Sequence, residues 1–153
     1  MHGTSPQIRN IAFFGLVLIF ALFVGSFGWG GRLNWFPFPL LVVLAIAFVL
    51  LGLVVLVLTV RLNEARTKRA FFLLAGASAA AMPICALLHN VVYALFIFWF
   101  GEGFWERHGA DEPVFFILAI AVFPALFFVG TVGSIVFLTK TPEDRGQQTG
   151  EAR

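Results

Sequence analysis

Apolar residues run almost unbroken through four stretches, near residues 11–28, 39–60, 70–100 and 114–138, and polar residues gather between them. A helix needs about 20 apolar residues to cross about 30 Å of hydrocarbon. Backbone N–H and C=O groups find no water inside a bilayer, so a spanning stretch must be helical. The pattern predicts an all-α membrane protein with four transmembrane helices. The linkers Gly30-Gly31-Arg32-Leu33-Asn34 and Asn63-Glu64-Ala65-Arg66-Thr67-Lys68 are short, with Pro37 and Pro39 opening the second helix. Short connections favour antiparallel neighbours and predict an up-down-up-down bundle. Residues 1–140 form one transmembrane domain in this reading. The polar tail 141–153 has nothing to bury and is expected to be a disordered cytoplasmic segment.

Composition agrees with the pattern. Hydrophobic residues make up 60% of the chain and charged ones 12%, against about 25% charged in a soluble domain. No linker is long enough for a folded domain, which needs about 50 residues. Cys85, the single cysteine, falls in the third span. A lone thiol forms no intramolecular disulfide, which excludes quinone-linked disulfide chemistry. CxxC, HExxH, Walker A, GxSxG and GxGxxG motifs are absent, so no catalytic site and no cofactor are expected. Basic and aromatic residues do not interleave as they do on nucleic-acid-binding surfaces, and no nucleic-acid partner is expected. Arg9 and Ser26-Phe27-Gly28 give the first span a minimal likeness to a cleavable signal peptide. Its apolar run is longer than a usual signal core and ends at Trp29, so a retained helix is expected.

The charges predict an orientation. With four spans, Arg9, Arg61, Arg66, Lys68, Arg69, Lys140, Arg145 and Arg153 share one side, and only Arg32 and Arg107 fall on the other. The basic side is cytoplasmic by the positive-inside rule, which gives an N-in/C-in chain. Trp29, Trp35, Trp99 and Trp105 all fall on the opposite side, where indole rings favour the membrane–water interface. The basic cluster at residues 61–69 therefore reads first as a topological anchor. Binding of anionic lipid head groups is the sharper alternative.

The second half carries most of the candidate chemistry. Ala75-Gly76-Ala77-Ser78-Ala79-Ala80-Ala81 is a run of small residues, and Gly130, Gly133 and Ser134 match it in the fourth span. Small residues let helix backbones approach in lipid, so these positions predict a helix–helix interface. The first two spans read as featureless by comparison. Pro83 and Pro124 are candidate kink residues at similar depth, each removing a backbone hydrogen bond. They predict either nested bent helices or a cavity between them, since broken helices often border membrane sites.

His89, Asn90 and Tyr93 form a candidate intramembrane polar site. His89 and Tyr93 share a helix face. Buried ionisable residues in spans usually face the bundle interior, where hydrogen bonding across helices is the plainer role and a ligand, ion or proton site the sharper one. Haem ligation by two histidines lacks a second intramembrane partner, because His2 and His108 lie outside the spans. The outer loop from Gly101 to Pro113 holds carboxylates and His108, which are competent metal ligands, but no ligand spacing frames a site and no metal is expected. Asp111-Glu112-Pro113 reads instead as a helix start.

The small-residue run, Leu88-His89-Asn90, Asp111-Glu112-Pro113-Val114-Phe115-Phe116 and Gly130-Thr131-Val132-Gly133-Ser134 resemble small four-helix prokaryotic integral membrane proteins with no assigned role. The resemblance covers the second half of the chain. It implies the same architecture and the inner (plasma) membrane, and it carries no activity to transfer.

The functional expectation is a non-enzymatic protein of the bilayer, acting through helix contacts as a homo-oligomer or within a larger membrane complex. The alternative is a small transporter or channel with a site near Pro83, His89, Asn90 and Pro124. An enzyme pairing His89 with an outer-loop acid ranks third.

Overall fold

The computed structural model describes residues 4–28, 38–109 and 113–139. Within them the chain is helical, with no strand. Four helices are long and apolar enough to cross a membrane, and the chain is on that ground a multi-pass helical membrane protein. Helix α1 spans Thr4–Gly28 and α2 spans Phe38–Arg61. Helix α3, Arg66–Phe100, has 35 residues. A short α4, Phe104–His108, follows it. The fourth long helix, Pro113–Thr139, is built of α5 (Pro113–Ile117), a π-helical segment (Leu118–Val122) and α6 (Phe123–Thr139). Its described part opens at Pro113, and the Asp111-Glu112 part of the expected helix start falls outside the described residues. So do Trp29, Trp35 and the tail 141–153.

Helix α3 is the centre of the bundle, with α2 on one side and α6 on another, while α1 lies against α2. The small-residue run explains the α3–α6 contact. Ala75, Gly76, Ser78, Ala79 and Ala80 are buried. A Cβ added at Gly130 would fall 2.6 Å from the Ala75 nitrogen, and one at Gly133 would overlap the Phe71 ring. The α2–α3 contact rests on a residue the pattern does not mark. A Cβ at Gly52 would lie 2.9 Å from the Gly76 oxygen, and one at Gly76 would lie 3.0 Å from the Gly52 oxygen. The second span is therefore not featureless. At this separation the two backbones meet directly, where dispersion and weak Cα–H···O contacts hold helices together in lipid.

Helix α1 packs differently, through phenyl rings. Phe13 meets Phe72 edge-on at 5.1 Å between centroids, and Phe20 meets Phe127 of α6 at 4.8 Å. Phe48 of α2 joins the group, 5.6 Å from Phe127. Such pairs are each worth about 0.5–1.5 kcal/mol beyond their area burial. Phe13, Leu16, Val55 and Phe72 are fully buried.

Candidate functional site

The predicted polar trio has three different neighbourhoods. His89 is half-buried, its ring 5.3 Å from that of Phe116 on α5. Asn90 is exposed and donates from Nδ2 to the Ala86 carbonyl at 2.8 Å. Tyr93 stacks on Trp105 at 5.6 Å, with the rings 8° from parallel. The Trp105 indole N–H donates to the Tyr93 carbonyl at 3.1 Å. Helix α4 thus folds back on the far end of α3, where Phe96, Phe100, Phe104 and Trp105 meet ring to ring. Arg107 donates to the Phe100 carbonyl at 3.2 Å, and Gly101 N–H closes on Ile97 O at 2.8 Å. Carbonyls that the helix end would leave open are satisfied this way. Gly109 ends α4 at φ 65°, in the left-handed region that glycine enters without a Cβ penalty. Among the described residues no three metal-ligating side chains converge.

The two prolines do come together. Pro83 and Pro124 line one cavity of about 520 Å³, with Phe20, Phe48, Met82 and Ala119 among its walls. Phe48, Met82 and Ala119 are buried and form its floor. Val24 and Ile120, 55% and 59% exposed, stand on its rim. Every lining side chain is apolar, and neither His89 nor Asn90 is among them.

The π-helical segment explains how α6 accepts Pro124. A proline ring crowds the carbonyl four residues earlier and brings no N–H. Just before it the helix widens, and Phe123 N–H bonds Leu118 O instead of Ala119 O. Such single-turn π segments are common where a helix bends or binds. The sequence shows the proline but not the widening.

A fully buried charged group is one that the positive-inside pattern fits equally well to the surface. Arg9 is fully buried. One guanidinium nitrogen donates to Glu64 Oε2, and Nε and Nη2 donate to Asn10 Oδ1 at 3.2 and 3.0 Å. The guanidinium also lies 3.9 Å over the Phe72 ring. Lys68 Nζ holds the other Glu64 oxygen at 2.7 Å, one helical turn away. Burial pushes the Glu64 carboxyl up, but hydrogen bonds and charges from Arg9 and Lys68 outweigh it and hold it below the ordinary value. Glu64 is the only carboxylate before Glu102. That isolation, beside Arg61, Arg66, Lys68 and Arg69, is the signal that could have marked the pair.

Three hydroxyls, those of Thr59, Thr131 and Ser134, are buried without a hydrogen-bond partner among the described residues. Thr131 and Ser134 lie on α6 near the Gly130 contact, where helices pressed together leave little choice of rotamer. No protein-family profile, curated protein or solved structure matches the chain.

Proposed function

We propose that this chain is a non-enzymatic, multi-pass protein of the inner membrane, working through helix contacts as a homo-oligomer or as a subunit of a larger membrane assembly. One observation carries the reading. Asn90 is exposed on the apolar outer half of α3, with exposed Ala86 and Ala94 one turn away on either side. Its Nδ2 returns to its own helix, and its Oδ1 accepts no hydrogen bond among the described residues. A bare amide oxygen in hydrocarbon is costly. A second helix, brought close over the two alanines, supplies the missing donor.

The test is energy transfer between labelled copies in vesicles at fixed protein-to-lipid ratio, with co-purification of membrane partners as a second readout. A symmetric contact makes two such bonds at about 0.6 kcal/mol each. Asn90→Leu should therefore weaken self-association about eightfold. Unchanged association in the variant, or neither self-association nor a partner in the wild type, would remove the proposal.

The orientation belongs to the same proposal: an up-down-up-down bundle, N-in/C-in. The charge distribution supports it. So does the meeting of Arg9, near the start of α1, with Glu64 in the α2–α3 linker, because alternating helices make those two ends neighbours. In a Cys85→Ala background, a cysteine at position 108 should label from outside and one at position 66 only from inside. The reverse result would overturn the orientation. The cavity favours a second reading, the transporter of the sequence-based alternative. Its apolar walls suit an apolar solute and offer an ion no ligands.

A further inference from the structure

We propose that the cavity between Pro83 and Pro124 binds a membrane-dissolved apolar alcohol, with its hydroxyl donating to a backbone carbonyl freed by Pro124. The donor count supports this. In an α- or π-helical pattern the carbonyls of Ala119 and Ile120 look to residues 123, 124 and 125 for an N–H. Phe123 N–H is committed to Leu118 O. Pro124 has none. Only the N–H of Ala125 remains for two carbonyls, so one of them is left with no helical donor. Ala119, Ile120 and Pro124 all line the cavity, so the open acceptor borders it.

Depth and volume narrow the occupant. Pro83 is the middle residue of α3, about 26 Å from either end at 1.5 Å per residue. A phospholipid head group does not reach the middle of a bilayer, and a lipid tail that does reach it has nothing to donate. A water molecule needs about 2–4 polar partners, and the side chains here provide none. A volume of about 520 Å³ falls within the range of small-molecule sites, about 300–1,000 Å³. An apolar body fills the space against Phe20, Phe48 and Met82, and one hydroxyl completes the carbonyl.

The experiment uses the full chain in lipid nanodiscs and a photoreactive long-chain alcohol, with mass spectrometry to locate the labelled peptides. Hexadecanol and hexadecane compete at equal mole fraction in the bilayer. Label should map to peptides carrying Met82 and Ile120. Hexadecanol should compete about fivefold more strongly than the alkane, the worth of one hydrogen bond of about 1 kcal/mol. Pro124→Ala restores an N–H and should bring the two competitors level. Val24→Trp, a change at the exposed rim, should abolish the labelling without unfolding the bundle. Equal competition in the wild-type chain would mean simple filling by any hydrocarbon chain and would overturn the proposal. So would labelling that survives Val24→Trp, or a preference for alcohol that survives Pro124→Ala. The wild-type comparison decides the matter even if a variant fails to fold.

Discussion

Removing the Glu64 charge should cost more stability than removing its arginine partner. The Arg9 side chain is 1% exposed and that of Glu64 is 17% exposed. Glu64→Gln removes the countercharge and leaves a buried guanidinium with only neutral partners, an amide oxygen at position 64, Asn10 and the face of Phe72. Stranding one member of a buried pair costs about 3–5 kcal/mol. The Phe72 contact returns about 1 kcal/mol, so the lower end, about 3 kcal/mol, is expected. Arg9→Met is milder. Glu64 stays partly wet and keeps Lys68 at 2.7 Å, while the thioether packs on Phe72 with a favourable sulfur–ring contact. About 1 kcal/mol is expected there, close to the cost of an exposed pair. The double variant should resemble Arg9→Met, because the stranded charge is gone. The assay is reversible unfolding in mixed micelles by titration with a denaturing detergent, read by tryptophan fluorescence. Glu64→Gln within about 0.5 kcal/mol of wild type, the range of ordinary surface changes, would refute the reasoning. So would Arg9→Met proving the costlier change.

Three further outcomes follow from the same contacts. The Glu64 carboxyl is held below its ordinary value by Arg9 and Lys68 despite burial, so its contribution is fully present above the unfolded value of about 4.3 and is lost as pH falls through the lower folded value. The stability gap between wild type and Glu64→Gln should accordingly close on acidification, and a gap independent of pH would contradict the pairing. Gly130→Leu, Ala79→Leu and even Gly52→Ala should destabilise the bundle by about 1–3 kcal/mol, whereas Leu53→Ile, at a site 45% exposed, should be nearly silent; equal effects would remove the backbone-contact account. His89→Gln should keep most of the stability and His89→Leu should lose about 0.6 kcal/mol and at most about 1.7. If instead both variants abolish a pH-dependent binding or transport while the fold survives, His89 has a functional role beyond packing.

The spans, their number and the shared depth of Pro83 and Pro124 are legible in the sequence because hydrocarbon imposes length and composition directly. The small-residue run is legible for the same reason, as seven adjacent small side chains leave a visible mark. Gly52 is not, because a single glycine among leucines and valines reads the same whether it faces lipid or another backbone. Arg9 is missed because a flanking arginine satisfies the positive-inside pattern equally well on the surface or buried. Its helix starts at Thr4, ahead of the apolar run, and that extension is what draws it into the bundle. The π-helical turn is illegible because it depends on how far α6 must shift to clear a ring. His89, Asn90 and Tyr93 stand out in the sequence as polar residues within a span, but the neighbours of His89 and Tyr93 come from α5 and α4, and helix periodicity says nothing about those.

The contrast between glycine contacts and phenyl contacts gives this bundle two mechanical characters. Helices α2, α3 and α6 touch backbone to backbone at Gly52, Gly76 and Gly130, so any sliding there meets hard repulsion at once, and the three act as a stiff plate. Helix α1 rides on the rings of Phe13 and Phe20, which yield by rotating about two torsions each. The cavity lies on the seam, with Phe20, Phe23 and Val24 on the soft side and Met82, Pro83 and Pro124 on the stiff one. A guest of different girth would therefore be accommodated by α1 moving outward, pivoting on the end pinned by Arg9, while the plate keeps its shape.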